Sequence, residues 1–213
     1  MIAGMQFRMI RIFAAATIVA VTLPVGSSAL AQQTPSEAGV VQRLVAAALE
    51  RTQHDVTYNG AYLRIPYPGG DVPARIGVCT DVVIRAYRAG LGVDLQQRVH
   101  EDMRRAFTRY PQIWGLRRPD PNIDHRRVPN LRVFLTRHGR KLPVTRKPDD
   151  YRPGDLVTWM VNGNLPHIGI VTDRRSADGK RPLVVHNIGR GPRLEDMLFD
   201  YPVTGHYRYL PRD

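Results

Sequence analysis

Gly77-Val78-Cys79-Thr80-Asp81-Val82-Val83-Ile84-Arg85-Ala86-Tyr87 is the stretch on which the reading of this chain turns. It holds the only cysteine of 213 residues. Val82, Val83, Ala86 and Tyr87 follow Cys79 at the spacing of one helix face. Cys79 is therefore expected on the inward side of a helix's first turn. The unpaired N–H groups and positive dipole end found there favour a thiolate. A small buried core residue is the other use of such a cysteine. The helix is expected to stop at Gly90 or Gly92.

On the N-terminal side, Val40 to Thr52 reads as a helix, with Val41, Leu44, Val45, Ala48 and Leu49 on one face. Tyr58 to Asp71 is punctuated by Pro66, Pro68 and Gly69-Gly70, which argues for a shaped loop. It runs into the Cys79 helix, so Tyr62, Tyr67 and Asp71 are candidates to line a cleft. On the C-terminal side, Val93 to Tyr110 is a charged helical stretch, Trp114 to Arg127 a long loop and Val128 to His138 a short helix. The texture then changes. Leu156 to Val161, Pro166 to Thr172, Pro182 to His186 and Gly205 to Leu210 read as strands, with the hairpin signal Asn162-Gly163 after the first. Helices first and strands after predict an α+β fold, N-terminal helices packed on a C-terminal antiparallel β-sheet.

Serine chemistry has little to work with: beyond the leader segment only Ser36 and Ser176 remain, and no G-x-S-x-G elbow is present. Cys79 is the candidate nucleophile, and a thiol needs a base with an orienting partner. His167 and His186 fall on adjoining strands. If the Asp173 to Lys180 loop is centred between Ser176 and Ala177, the two histidines lie directly opposite one another on one face. Gly169, on the same face, would leave room for a helix end. One imidazole would take the thiol proton and the other would hold its tautomer, with Asn187 the neighbouring alternative for the second role. Zinc binding by His167 and His186 with Asp155 or His206 is the competing use, but no H-E-x-x-H or C-x-x-C accompanies them. No cofactor or metal is expected. His54, His100, His125 and His138 read as surface residues.

The first 31 residues resemble a secretory leader: Arg8 and Arg11, an apolar run from Ile12 to Val25, then Ala29-Leu30-Ala31. Cleavage is expected after Ala31, leaving residues 32–213 as a single domain in the periplasm or outside the cell, with no membrane span. A lone cysteine in such a compartment points to a reactive thiol or intermolecular pairing. The net charge is +12, and +10 once Arg8 and Arg11 are removed. Nucleic acid is a poor partner for an exported chain with no nucleic-acid motif. An anionic cell-envelope component is the simpler one.

The segments G-V-C-T-D-V-V-I-R-A-Y, Y-R-P-G-D-L-V-T-W, L-P-H-I-G-I-V-T-D and V-V-H-N-I-G together resemble the NlpC-type branch of the papain-like cysteine peptidases and amidases. More closely, the chain resembles a bacterial family catalogued as domain of unknown function 1287, through Arg64–Gly70, Cys79–Tyr87, Asn122–Asn130 and His186–Glu195. The resemblance implies a papain-like fold, with Cys79 as nucleophile, His167 as base and His186 as orienter. It implies hydrolysis of an amide in peptidoglycan stem peptides, or a related acyl transfer. The insert from Val93 to Thr145 is longer and more basic than in compact NlpC-type domains. The alternative from another class is an envelope-binding protein with an idle site.

Overall fold

In the computed structural model, which describes residues 36–211 together with 1, 2 and 4, helix α1 spans Glu37–Arg51. It begins three residues before the apolar spacing does, because the Ser36 hydroxyl accepts the Gly39 N–H at 3.2 Å and caps it. The expected leader falls on residues of which 3 and 5–31 lie outside the described range. Among the described residues no helix is long and apolar enough to cross a membrane.

Helix α2, Cys79–Leu91, ends at Gly92 in the left-handed conformation (φ 67°), as its glycine suggests. Val78 has no side-chain oxygen with which to cap it. Instead the Asp81 carboxylate reaches back to the Val78 N–H at 2.6 Å. Helix α1 packs along α2, and Gly90 allows it: a Cβ there would stand 2.7 Å from the Arg43 carbonyl. The segment before α2 carries two short parallel strands, β1 (Thr57–Tyr58) and β2 (Ile76–Gly77). Residues 71–76 are tied to α2 by Arg85. Its guanidinium holds both Asp71 oxygens (2.9 and 3.1 Å) and donates to the carbonyls of Val72, Pro73, Ala74 and Ile76.

The charged stretch forms helix α3 only over Leu95–Ala106, with Asp94 as its cap. Helix α4, Val128–His138, has the bounds its pattern predicts. A six-stranded antiparallel sheet follows, in the order β3-β8-β4-β5-β6-β7. Its strands are β3 (Arg140–Leu142), β4 (Leu156–Val161), β5 (Leu165–Arg175), β6 (Pro182–His186), β7 (Arg193–Glu195) and β8 (Val203–Arg208). The three-residue edge strands β3 and β7 are too short to carry an alternation and are absent from the sequence reading. Asn162 and Gly163 both adopt positive φ (49° and 82°), the turn their dipeptide predicts.

Strand alternation divides the core between two faces. Leu156, Ile168, Ile170 and Val185 meet the helices, where Val82, Val83, Tyr87, Leu131 and Phe134 cover them. Val157, Trp159, Val161, Val171 and Val184 turn the other way, under Tyr151, Met197 and Leu198.

Candidate active site

Cys79 occupies the first position of α2 and is 4% exposed. It forms part of the wall of a cleft of about 670 Å³, together with Tyr58, Tyr62, Trp114, Arg126 and Pro166. Backbone N–H groups of Ile168, Thr80 and Cys79 itself favour the charged sulfur. Burial outweighs them, with Asp81 adding to its effect, and pushes the thiol up to about 12. The helix start therefore does not produce a standing thiolate, contrary to the expectation from its dipole. The contact with Ile168 also fixes where the sulfur lies. Cys79 and Ile168 also share the helix-side core, so the sulfur lies against β5 at the residue after His167.

His167 and His186 meet: His167 Nε2 lies 3.1 Å from His186 Nδ1, with the rings at 90°. The register that brings them together differs from the expected one. Ile170 pairs with Val185, which sets His167 two residues out of line with His186, because the turn is centred between Asp178 and Gly179 and not between Ser176 and Ala177; the ladder shift between Val171 and Arg175 takes back only part of that offset. The net offset is even, so the two rings still share a face. That face is the one bearing Trp159, the direct partner of His167, and not the helix-covered one. Gly169 makes room for β6 rather than for a helix: a Cβ there would stand 2.7 Å from Val184 and 3.1 Å from the His186 Cβ. Among the described residues the Cys79 thiol makes no hydrogen bond to a side chain, either imidazole included.

The residue that sequence reading missed is Glu195. Its Oε2 lies 2.9 Å from His186 Nε2. A carboxylate only accepts, so His186 Nε2 carries the hydrogen and donates to it, and His186 Nδ1 becomes an acceptor. His167 Nε2 must then donate to His186 Nδ1. His167 Nδ1, the ring nitrogen nearer its own backbone, keeps a free lone pair. The hairpin that returns Glu195 to His186 is announced only by Gly189 and Gly191, both at positive φ.

A second miss lies under the thiol. Arg126 and Asp81, each almost wholly buried, form a two-pronged ion pair at 2.9 and 2.9 Å. Arg126 also donates to the carbonyls of Ala61 and Asn59 at 3.3 Å, and its own carbonyl accepts the Thr80 hydroxyl at 3.1 Å. Asp81 is thus more than a dipole complement. Trp114, stacked under the Arg127 guanidinium at 4.1 Å, brings the long loop onto the cleft.

The other candidates divide. Tyr62 lines the cleft, its hydroxyl donating to Asp120 at 3.1 Å. Tyr67 does not: it packs against His100, ring centroids 4.9 Å apart. Asp71 is taken up by Arg85. Asn187 is buried and accepts the Gly189 N–H at 3.0 Å, which makes it a turn residue. His206 and Asp155, the additional ligands of the zinc reading, bond to each other at 2.8 Å, with Arg208 on the second Asp155 oxygen. Among the described residues no group of three or more His, Cys, Asp or Glu side chains is arranged to hold a metal ion. His125, expected at the surface, is 2% exposed.

These buried rings make acid stability a test of the site. Burial holds His167 down to about 3, with His186 contributing, and His125 down to about 4, with Arg126 contributing. Burial also lowers His186, against the pull of Glu195. The unfolded chain binds protons at these rings below about pH 6.5, whereas the fold does not, so stability is present above that pH and lost as pH falls toward 4. Between pH 7 and pH 5 the loss is about 2 kcal/mol for each ring that stays neutral. Urea unfolding at the two pH values measures it. Stability that holds constant or rises on acidification contradicts neutral buried rings.

The fold and site define an α+β protein whose one thiol stands at the start of a helix packed on an antiparallel sheet, with a His-His-Glu chain carried by the strands of that sheet. The protein belongs to the family described as Domain of unknown function (DUF1287), whose model matches residues 45–209 and so includes Cys79, His167, His186 and Glu195. It is 55% identical over 153 residues to the Uncharacterized protein YijF of Escherichia coli (strain K12), a match covering 72% of this chain and 74% of that one.

Proposed function

We propose that this protein is an exported, papain-like cysteine amide hydrolase of the NlpC type, acting on peptidoglycan stem peptides or related envelope amides. One observation carries the reading. Cys79 lines a cleft and its sulfur meets the backbone N–H of Ile168, the residue after His167, whose Nε2 is committed to His186 and, through it, to Glu195. In this reading His167 Nδ1 takes the thiol proton as the sulfur bonds to the amide carbonyl carbon. The carbonyl electron pair moves onto oxygen, against the Cys79 N–H. Collapse breaks the C–N bond, the amine leaves with the proton from His167, and a thioester remains. Water, giving a proton to His167, attacks the thioester. The C–S bond breaks, the acid departs and the sulfur regains its proton. His186 and Glu195 hold the tautomer throughout. The +10 surface would keep the enzyme against an anionic envelope in the periplasm.

Purified protein incubated with purified peptidoglycan should release soluble fragments, each cut creating one amine and one carboxylate, as read by mass spectrometry. An added amine recovered in an amide product reassigns the chemistry to acyl transfer. Peptidoglycan returned intact removes the hydrolase. The second reading, an envelope-binding protein with a silent thiol, is favoured by the burial that raises Cys79 and by its lack of a side-chain hydrogen bond.

A further inference from the structure

The loop over residues 111–122 has two sides. Ile113 and Trp114 face the Cys79 cleft, while residues 115–121 wall a second groove of about 800 Å³. Tyr62 borders both. Arg64, Arg104, Arg117 and Arg118 line the second groove, with His100 among them. Among the described residues none of these four guanidinium groups has a carboxylate within ion-pair distance. The acids nearby are engaged elsewhere. Glu101 pairs with Arg105 at 3.5 Å and Asp124 with Arg127 at 3.1 Å. Asp120, the carboxylate of the groove itself, accepts from the Tyr62 hydroxyl and from Asn122. His100 Nδ1 is buried without a partner, a further polar atom with nothing to bond. Four guanidinium groups against the single carboxylate of Asp120 leave the groove strongly positive, and the guanidinium fork matches carboxylate and phosphate oxygens two at a time.

We propose that this groove is an anion-binding subsite for a ligand carrying a phosphate or closely spaced carboxylates, whose remaining length passes Tyr62 into the Cys79 cleft. The anion site does not depend on chemistry at Cys79; only its use as a substrate subsite rests on the hydrolase reading. The basic insert between α3 and α4 thereby acquires a role: one loop shapes the thiol cleft with its apolar end and the anion groove with its charged end.

Calorimetric titration of the purified protein with inorganic pyrophosphate and with citrate, at low ionic strength, tests it. Saturable binding is expected. Arg104→Ala/Arg118→Ala should weaken it by at least about tenfold, since two guanidinium groups and their charged hydrogen bonds to the anion are lost. Arg174→Ala/Arg175→Ala removes the same charge from the β5–β6 hairpin and should change affinity by less than about twofold. Cys79→Ala should bind as the parent does. Tighter pyrophosphate binding assigns the ligand group as phosphate, and tighter citrate binding as carboxylates. No saturable binding, unchanged binding in Arg104→Ala/Arg118→Ala, or equal weakening in the two double variants overturns the proposal. Intact peptidoglycan alongside specific anion binding would remove the hydrolase and leave the groove.

Discussion

Cys79→Ala protein should release peptidoglycan fragments at least about 10³-fold more slowly than the parent, because losing a covalent nucleophile removes the whole path and not one contact. Its fold should survive. The change deletes one sulfur at the rim of the core, and a loss of about 1 kcal/mol moves the melting temperature of a chain this size by about 2–4 °C. Two measurements on one preparation therefore separate catalysis from structure. Cys79→Ser is the sharper variant, since the hydroxyl keeps the shape and the backbone contacts but is a far weaker nucleophile. If either variant still cuts at the parental rate, the thiol is not the nucleophile. If both unfold, the sulfur is a packing residue, as its 4% exposure alone would suggest.

Arg126→Met should destabilise the protein by about 3–5 kcal/mol, the cost of stranding a buried carboxylate. Asp81 would keep only the Val78 N–H, with its side chain 3% exposed. The double variant Asp81→Asn/Arg126→Met should recover part of that loss, because no unpaired charge remains. Denaturant unfolding of the three proteins closes the cycle. The prediction fails if the single variant loses less than about 1 kcal/mol. Activity should fall in the stable double variant as well: Arg126 fixes the entry to α2 against residues 59–61, and a small displacement of the sulfur is costly to a reaction at a carbonyl.

Local physics was legible in the sequence where it was strong. Apolar spacing found α1, α2 and α4; Gly92 and Asn162-Gly163 found their turns; and two histidines on adjoining strands were rightly brought together. What escaped was long-range or unmarked. The β5–β6 turn is centred two residues beyond the middle of its polar loop, which no residue there announces, so the register came out two positions off and the face went unrecognised as the one turned from the helices. Asp81 and Arg126 lie 45 residues apart, and nothing local to either announces the other. Arg126 reads as one basic residue among 31. His125, beside it, reads as surface for the same reason. The dipole argument for a thiolate failed on magnitude: a helix start contributes less than complete burial takes away.

Arg85 gives the stretch from residue 71 to 76 an unusual standing. It has almost no regular secondary structure, yet four of its carbonyls and its one carboxylate converge on a single guanidinium planted in α2. Those oxygens are not waiting for water, so this coil moves with the helix as part of its framework. The backbone leading up to the sulfur is in effect a splint, and the position of Cys79 is set from outside the helix as well as from within it.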